Sequence, residues 1–249
     1  MKPIGVQLYT VRNLLNTDGE IAEVLQKIKA MGYGSVQLFG GMELLQRCAK
    51  ACADVGIPVA GILIDLKTCE ESEDGIFALC EKFGISDIGI SSSAATLKDL
   101  DTYIAKVNVF AKKVREKNLT FSYHNHGHEF IKRENGKSAM ERFLEQFDPE
   151  TVTFMPDTYW IHDGGFDVRH FLELAKGRMK ILHLKDLKRT AAGHTFAEIG
   201  NGNLWFEGIL QTALDCGVEV FVVEQDVCEG CPLESLEQSM KYIQNIWRD

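Results

Sequence analysis

Short apolar runs alternate with amphipathic stretches of helical period along the whole chain. The short runs have the length of β-strands, and most of them alternate apolar with polar positions. The predicted strands span residues 4–9, 35–39, 58–63, 86–90, 119–125, 151–157, 179–185 and 218–225. The predicted helices span residues 19–32, 41–56, 73–84, 97–118, 138–147, 167–176, 205–217 and 236–247. Eight strand–helix units in 249 residues, without a linker, predict a single (β/α)8 barrel over residues 1–249, with a doubly wound open sheet as the alternative.

The alternation within the strands decides between these two folds. In the first strand Ile4 and Val6 share one face, and Gly5 and Gln7 share the other. A doubly wound sheet buries both faces under helices, so its strands are nearly continuous apolar runs. A barrel has an inner face that can form a site where the strands end, and the pattern therefore favours an α/β TIM barrel. The polar groups that this fold brings to the barrel mouth are Gln7, Gln37, His124, Asp157, His183, Lys185 and Glu224.

The composition narrows the choice of partners and compartment. The net charge is −9 with no basic run, which argues against a nucleic-acid partner. We see no signal peptide or membrane span, and we expect a cytoplasmic protein with no membrane partner. Seven cysteines without a secretory signal indicate free thiols. Cys228 and Cys231 have redox or zinc spacing but form a lone pair, so their role stays open.

Three strands end in groups that commonly bind metal ions, and a fourth such group follows another strand. Asp157, His183 and Glu224 end predicted strands six, seven and eight, whereas Glu129 lies just beyond strand five, where periodicity cannot place it. Taken singly, each residue has an ordinary explanation as a helix cap, a turn residue or an ion-pair partner. Together, three carboxylates and an imidazole suit one divalent ion, Mn²⁺ first, with Mg²⁺, Co²⁺ and Zn²⁺ as alternatives.

The sequence also resembles a known superfamily over essentially its whole length. The segments YHNHGHEF, PDTYW, HLKD, IGNGNLWF and VVEQD occur in the order found in the xylose isomerase-like TIM barrels, or sugar phosphate isomerase/epimerase superfamily. In such members one metal ion is held by a Glu after strand five, an Asp after strand six, a His on strand seven and a Glu on strand eight. The resemblance thus implies metal binding by Glu129, Asp157, His183 and Glu224.

Within this superfamily, two departures separate the chain from the ketose epimerases. Trp160 stands where those enzymes have a histidine, with His162 two positions further on, and HLKDLKR stands where they have an arginine. The HLKD form is more similar to inosose dehydratase. The distant relative endonuclease IV has additional zinc-binding histidines, and this acidic chain lacks an obvious full set of them.

The chemistry that we expect is removal of a proton next to the carbonyl of a keto-sugar or polyol. A carboxylate alone is too weak a base for this carbon acid, whereas a cation on the carbonyl oxygen gives a metal-stabilised enediolate. We expect Glu129 and Glu224 to act as the two bases of an isomerase or epimerase, or of a dehydratase when a β-hydroxyl is lost. Lys185 either holds the oxyanion or forms a salt bridge with a carboxylate of the metal site.

The other polar and aromatic groups at the mouth are predicted to contact the substrate. His124 and His126 have inward parity, so we expect them to touch substrate rather than metal, and we expect His128 to lie solvated in a loop. The remaining predicted substrate contacts are Gln7, Gln37 and Trp160.

Three functions stay open at this point. The first is a metal-dependent sugar isomerase or epimerase, the second is a dehydratase, lyase or hydrolase with the same metal site, and the third is a binding protein without turnover. The expected partner is a small-molecule sugar or polyol, and a homo-oligomer is allowed.

Overall fold

Eight parallel strands form a nearly closed barrel in the computed structural model, which describes residues 2–133 and 136–247. The barrel strands follow the order β6-β5-β4-β3-β2-β1-β10-β7, and single bridges from Phe154 to Met179 and from Asp157 to His183 join β6 to β7. The predicted TIM barrel is confirmed, and each of the eight predicted strands is present. The barrel strands are β1 (Ile4–Gln7), β2 (Ser35–Phe39), β3 (Val59–Asp65), β4 (Asp87–Ser91), β5 (Thr120–His124), β6 (Thr153–Met155), β7 (Ile181–Leu184) and β10 (Val220–Val223).

Helices between the strands cover the outside of the barrel. They are α1 (Asp18–Ala30), α2 (Met42–Val55), α3 (Leu66–Glu71), α4 (Glu73–Phe83), α5 (Leu100–Glu116), α6 (Ala139–Gln146), α7 (Thr158–Asp163), α8 (Val168–Leu174), α9 (Phe206–Asp215) and α10 (Pro232–Ile246). The two helices that lie outside the predicted set, α3 and α7, have six residues each, which is too short to show a helical period. Short 3-10 helices span Leu8–Leu14, Thr96–Lys98 and Gly127–Phe130.

The helix ends follow from local sequence. Thr17 accepts a hydrogen bond from the backbone N–H of Glu20, whose carboxylate accepts from the N–H of Thr17, and this capping box starts α1. Gly56 and Gly84 end α2 and α4 in the left-handed conformation, with φ of 68° and 65°. Glycine adopts this conformation without steric cost, which explains why these predicted helices end in glycine.

An antiparallel hairpin, β8 (Asp186–Thr190) and β9 (Gly193–Ala197), follows β7 and was not among the predicted elements. A turn at residues 200–203 lies against it. The buried carboxylate of Asp186 accepts hydrogen bonds from the backbone N–H groups of Gly200, Gly202 and Leu204. A side chain at position 202 would collide with that carboxylate, so the turn requires glycine there.

The strand alternation divides the buried side chains into two layers. Outward side chains such as Val6 and Leu182 pack with the helices in one large apolar core. Inside the barrel, Met155, Ile181 and Val222 form a separate small apolar cluster. Towards the carboxyl ends of the strands the inward positions become polar. The apolar side chains of this cluster therefore lie in the interior of the barrel, and polar side chains line its mouth.

Two further findings concern the cysteines and the helices. All seven cysteines are unpaired, as predicted, and five of them are buried. In the part of the chain that the structure describes, the helices are all too short or too polar to cross a membrane.

Candidate active site

The polar groups predicted from strand alternation meet at the carboxyl end of the barrel, and all of them are buried. Asp157 follows β6 and caps α7 by accepting a hydrogen bond from the N–H of Trp160. His183 lies in β7, and Glu224 directly follows β10. The parallel bridge between Asp157 and His183 brings two of these groups side by side. The barrel therefore assembles the three predicted metal-binding side chains of strands six, seven and eight.

Lys185 lies at the centre of this group with its side chain only 1% exposed. Its Nζ atom is 2.9 Å from Asp157 Oδ2, 2.9 Å from Glu224 Oε2 and 2.9 Å from Asp226 Oδ1. Burial disfavours the charged amine, but the three carboxylates outweigh it and raise the pKa of Lys185 above its usual range. Lys185 is therefore an ammonium ion, and the salt bridge that the sequence left as one alternative is formed.

His183 is held by a chain of glutamine side chains. Gln7 Nε2 donates to Gln37 Oε1 at 2.7 Å, and the same oxygen lies 2.7 Å from His183 Nε2. This arrangement assigns the imidazole proton to Nε2, because the amide oxygen accepts. In the neutral ring the Nδ1 lone pair then faces Glu224 Oε2 at 2.9 Å, and such a pair requires a proton or a metal ion between the two atoms.

Four groups at this position offer metal-ligand atoms within 4.8 Å of one another: His124, Asp157, His183 and Glu224. His124 is buried, and burial is the largest cause that lowers its pKa well below the ordinary value, so its ring is neutral and keeps a lone pair. Two imidazoles and two carboxylates fit a divalent transition-metal ion. The ammonium of Lys185 contacts two of these carboxylates, so an ion entering this position would meet a cation that is already there.

Glu129 belongs to a second group, with His126 and His128. Its carboxylate is fully buried and accepts hydrogen bonds from Tyr123 Oη at 2.8 Å, the N–H of His126 at 2.9 Å and Ser92 Oγ at 3.0 Å. Burial raises the pKa of Glu129 to about 7, although these donors favour the ionised form. The predicted ligand role of Glu129 stays a prediction, and in the structure His124 is the residue that completes the four-donor group.

Two cavities adjoin the two groups. One has a volume of about 370 Å³, and its wall contains the Tyr9 and Phe39 rings, whose centroids are 5.2 Å apart. The other, of about 650 Å³, is lined by residues that include His128 and Trp160. His126 lines both cavities, and its Nδ1 atom is buried without a hydrogen-bond partner.

The predicted substrate contacts occupy different positions relative to these cavities. Gln7 and His124 line the smaller cavity, and Trp160 lines the larger one. Gln37 is buried and contacts His183, which suits a residue that orients the imidazole. His128, predicted to lie solvated in a loop, is partly solvated: it belongs to a short 3-10 helix, its side chain is 21% exposed and its Nε2 lies 3.5 Å from Glu129 Oε1.

Sequence reasoning missed Asp226, Tyr123 and Ser92. Asp226 is two residues beyond Glu224 and has the same parity, which is a usable signal, but it lies past the strand. Tyr123 has outward parity in β5 and packs in the apolar core, yet its hydroxyl reaches Glu129. Ser92 follows β4 in a loop, where alternation makes no prediction.

The barrel of parallel strands, with buried acidic and imidazole groups at its carboxyl mouth, places the protein among the TIM barrels. Sequence comparison agrees with this fold. Residues 25–246 match the Xylose isomerase-like TIM barrel family, so the chain belongs to that family. It is also 25% identical over 166 residues to inosose dehydratase from Geobacillus thermodenitrificans. That match covers 59% of this chain and 55% of the relative, so the chain spans only about half the length of the relative.

Solved structures share the fold. A sugar phosphate isomerase/epimerase from Parabacteroides distasonis superposes with a TM-score of 0.80 and 20% identity, covering 98% of this chain and 93% of that one. A xylose isomerase-like TIM barrel protein from Mycobacterium smegmatis, solved in complex with magnesium, superposes with a TM-score of 0.72 and 14% identity, covering 99% and 96% of the two chains. At these identities the likeness establishes the fold alone.

Proposed function

We propose that the protein is a divalent-metal-dependent sugar isomerase or epimerase that acts on a keto-sugar or polyol by removing a proton next to a carbonyl. A dehydratase that uses the same site is the second candidate. The observation that carries the proposal is the pairing of a four-donor ion group with a separate buried carboxylate, Glu129, whose pKa is about 7. A base of that pKa takes and returns protons readily near neutral pH.

The ion, in this proposal, is held by His124, Asp157, His183 and Glu224, with Glu129 as the alternative fourth ligand. His126, Lys185 and Glu224 line the smaller cavity, so an ion bound to Glu224 would lie next to polar groups of that cavity. When bound, the ion supplies Lewis acidity to a substrate oxygen. Mn²⁺ is the proposed ion, because mixed imidazole and carboxylate donors suit an ion of intermediate hardness.

The two predicted bases have different capacities to act. Burial raises the pKa of Glu224, but the Lys185 ammonium first, and the contact with His183 after it, outweigh burial and hold the pKa well below its usual value. Glu224 is therefore a weak base while Lys185 touches it, whereas Glu129 is a strong one for a carboxylate. Glu129 lines neither cavity, so in this proposal it takes the proton through His126, which lines both cavities and whose Nδ1, 4.0 Å from Glu129 Oε1, must move closer to transfer it.

Lys185 has a second role in the proposal. Its ammonium lines the smaller cavity next to Glu224 and His124, so it can donate a hydrogen bond to an oxygen of a bound sugar once one of its three carboxylate partners releases an N–H. A donor at the developing oxyanion stabilises the transition state more than the ground state. The buried ion pairs keep this donor charged across the neutral pH range.

Solvent deuterium exchange tests the proposal. The Mn²⁺-loaded protein in D₂O is expected to place deuterium on the carbon next to the carbonyl in one member of a panel of keto-sugars and keto-inositols, detected by NMR. Glu129→Gln should remove exchange and retain Mn²⁺, since an amide cannot accept the proton. His162→Asn is the control, because His162 is exposed on α7.

The exchange experiment also separates the two candidates. Deuterium retained in an unchanged carbon skeleton supports the isomerase or epimerase, and formation of an unsaturated ketone with loss of water supports the dehydratase. The match to inosose dehydratase favours testing keto-inositols first. Absence of exchange and of product over the whole panel, with Mn²⁺ bound, would overturn the proposal.

A further inference from the structure

The three ion pairs of Lys185 carry an inference that rests on the proposed function and goes beyond it. Two of its partners, Asp157 and Glu224, belong to the four-donor group, and the third, Asp226, does not. An ion that binds Asp157 and Glu224 must compete with an ammonium that lies 2.9 Å from one oxygen of each carboxylate. Because two cations held by the same pair of buried carboxylates repel strongly, we expect the contacts of Lys185 with Asp157 and Glu224 to lengthen when an ion enters.

We propose that Lys185 is an internal counter-cation that occupies the ion group when no metal is bound, and that Asp226 is the carboxylate that keeps it when a metal ion enters. Asp226 suits this role by position. Its side chain is 20% exposed, whereas those of Asp157 and Glu224 are 0% and 5% exposed, so it lies on the outer side of the group. The four-carbon stem of lysine allows the ammonium to move while its base stays in the barrel.

Two aromatic neighbours favour retention of the ammonium near Asp226 over its release into solvent. The Trp160 ring centroid lies 5.5 Å from Lys185 Nζ and that of Phe196 lies 6.0 Å away, so two aromatic rings flank the charge. Asp226 and Lys185 both line the smaller cavity. Metal entry would thus free the N–H groups of Lys185 that bond Asp157 and Glu224, and the ammonium, held at Asp226, could donate one of them into the cavity that it already lines.

Metal affinity provides the test, measured by titration calorimetry with Mn²⁺ on the metal-stripped protein. Lys185→Met removes the competing cation, and we expect Mn²⁺ to bind at least tenfold more tightly. Asp226→Asn removes the carboxylate that keeps the lysine, and we expect binding to weaken several-fold. Lys180→Met is the matched control, because Lys180 precedes β7 and its Nζ faces Ser86 and Thr120 instead of the ion group.

The double variant distinguishes retention of the lysine from a simple loss of negative charge. If Asp226 acts through Lys185, Asp226→Asn has little effect on Mn²⁺ affinity in the Lys185→Met background. If Asp226 acts only as a distant charge, the same weakening appears in both backgrounds, and the proposal is overturned. A Lys185→Met affinity within twofold of wild type overturns it as well.

The thermal midpoint of unfolding is a second measurement, and it shows whether the variants fold. Without metal, Lys185→Met leaves Asp157 and Glu224 without their ammonium, so we expect a lower thermal midpoint that Mn²⁺ restores by a larger shift than in wild type. A Lys185→Gln variant repeats the comparison with a polar side chain. Absence of Mn²⁺ binding in wild type and in every Lys185 variant would instead overturn the ion site of the proposed function, so the two failures can be told apart.

Discussion

Glu224 and Glu129 are both buried carboxylates at the same end of the barrel, but their partners differ in charge. Glu224 contacts the ammonium of Lys185 and the imidazole of His183, and its pKa is held well below the ordinary value. Glu129 contacts two hydroxyl groups and a backbone N–H, and its pKa rises from 4.5 to about 7. Neutral donors therefore do not offset burial, whereas a buried cation does.

The difference in pKa assigns different tasks to the two carboxylates at the barrel mouth, ion binding to Glu224 and proton transfer to Glu129. A carboxylate that stays ionised binds cations, and one that titrates near neutral pH transfers protons. At about 1.4 kcal/mol per pKa unit, the rise at Glu129 corresponds to roughly 3 kcal/mol against its ionised form. This division of roles would not hold if both carboxylates bound the ion or if neither did.

Asp157→Ala should have the largest effect, because it removes a central oxygen donor of the ion group. Wild type dialysed against Mn²⁺ should retain about one ion per chain, as a single site implies, and the variant should retain almost none. Elemental analysis after gel filtration measures this. Full metal content in the variant would refute the assignment of the site.

The variants His124→Asn and Glu129→Gln identify the residue that completes the ion group as its fourth ligand. If His124 is the fourth ligand, only the first variant loses Mn²⁺ affinity, and by at least the roughly 10-fold to 100-fold that the loss of a mere hydrogen-bond partner of a ligand costs. Loss of Mn²⁺ affinity in Glu129→Gln alone would instead establish Glu129 as the ligand. Both variants should be compared with His162→Asn, which changes an exposed imidazole on α7.

Glu129→Gln should also lower turnover by about 100-fold to 10,000-fold, the range for loss of a general base. The physical reason is that an amide has no basic oxygen of comparable pKa. The rate of deuterium exchange into the substrate is the measurement. A variant with normal exchange would show that the raised pKa of Glu129 has no part in catalysis.

Lys185→Met should reduce turnover about 100-fold, the usual scale for loss of one electrostatic donor. Metal content should stay near one ion per chain at saturating Mn²⁺, so the loss is not a loss of the ion. Steady-state kinetics on the true substrate measures the effect. An unchanged kcat would mean that Lys185 only balances the charge of the buried carboxylates and has no part in turnover.

The strand alternation predicted the part of this site that lies on strands. Gln7, His183 and Lys185 have fixed faces because each side chain in a strand points opposite to its neighbours, and all three are buried at the mouth. Asp226 lies past its strand, although it keeps the parity of Glu224, and Glu129 lies further beyond its strand, where the backbone turns and alternation carries no information. The contacts of Glu129 could not be predicted for this reason: one comes from a loop residue and another from an outward-facing tyrosine.

The fold shows the same division between regular and irregular segments. Eight strands and the eight longer helices have enough residues to show their period, and the predicted barrel follows from their order. The hairpin of β8 and β9 has exposed positions on both strands, so no apolar alternation marks it. Its position depends on hydrogen bonds from a distant turn to Asp186, which is a tertiary contact that local sequence does not encode.

The smallest expected effect concerns the two hydroxyl groups that contact Glu129. The Tyr123 hydroxyl lowers the pKa of Glu129 against the larger effect of burial, so Tyr123→Phe should raise that pKa by about one unit or less. Activity needs the ionised form, so kcat/KM should fall as the pH drops through about 7 in wild type. In the variant the midpoint of this acidic limb should lie at higher pH.

Two further variants make the pH profile decisive. Ser92→Ala removes the longer of the two hydroxyl contacts, 3.0 Å against 2.8 Å, and should shift the midpoint in the same direction by a smaller amount. Tyr33→Phe is the control for the tyrosine change, because its hydroxyl donates to the carbonyl oxygen of Leu236 and is not part of either group. A midpoint that stays fixed in Tyr123→Phe and Ser92→Ala would mean that another group controls the acidic limb. In that case Glu129 would be a buried structural carboxyl group, and the contrast with Glu224 would concern stability rather than proton transfer.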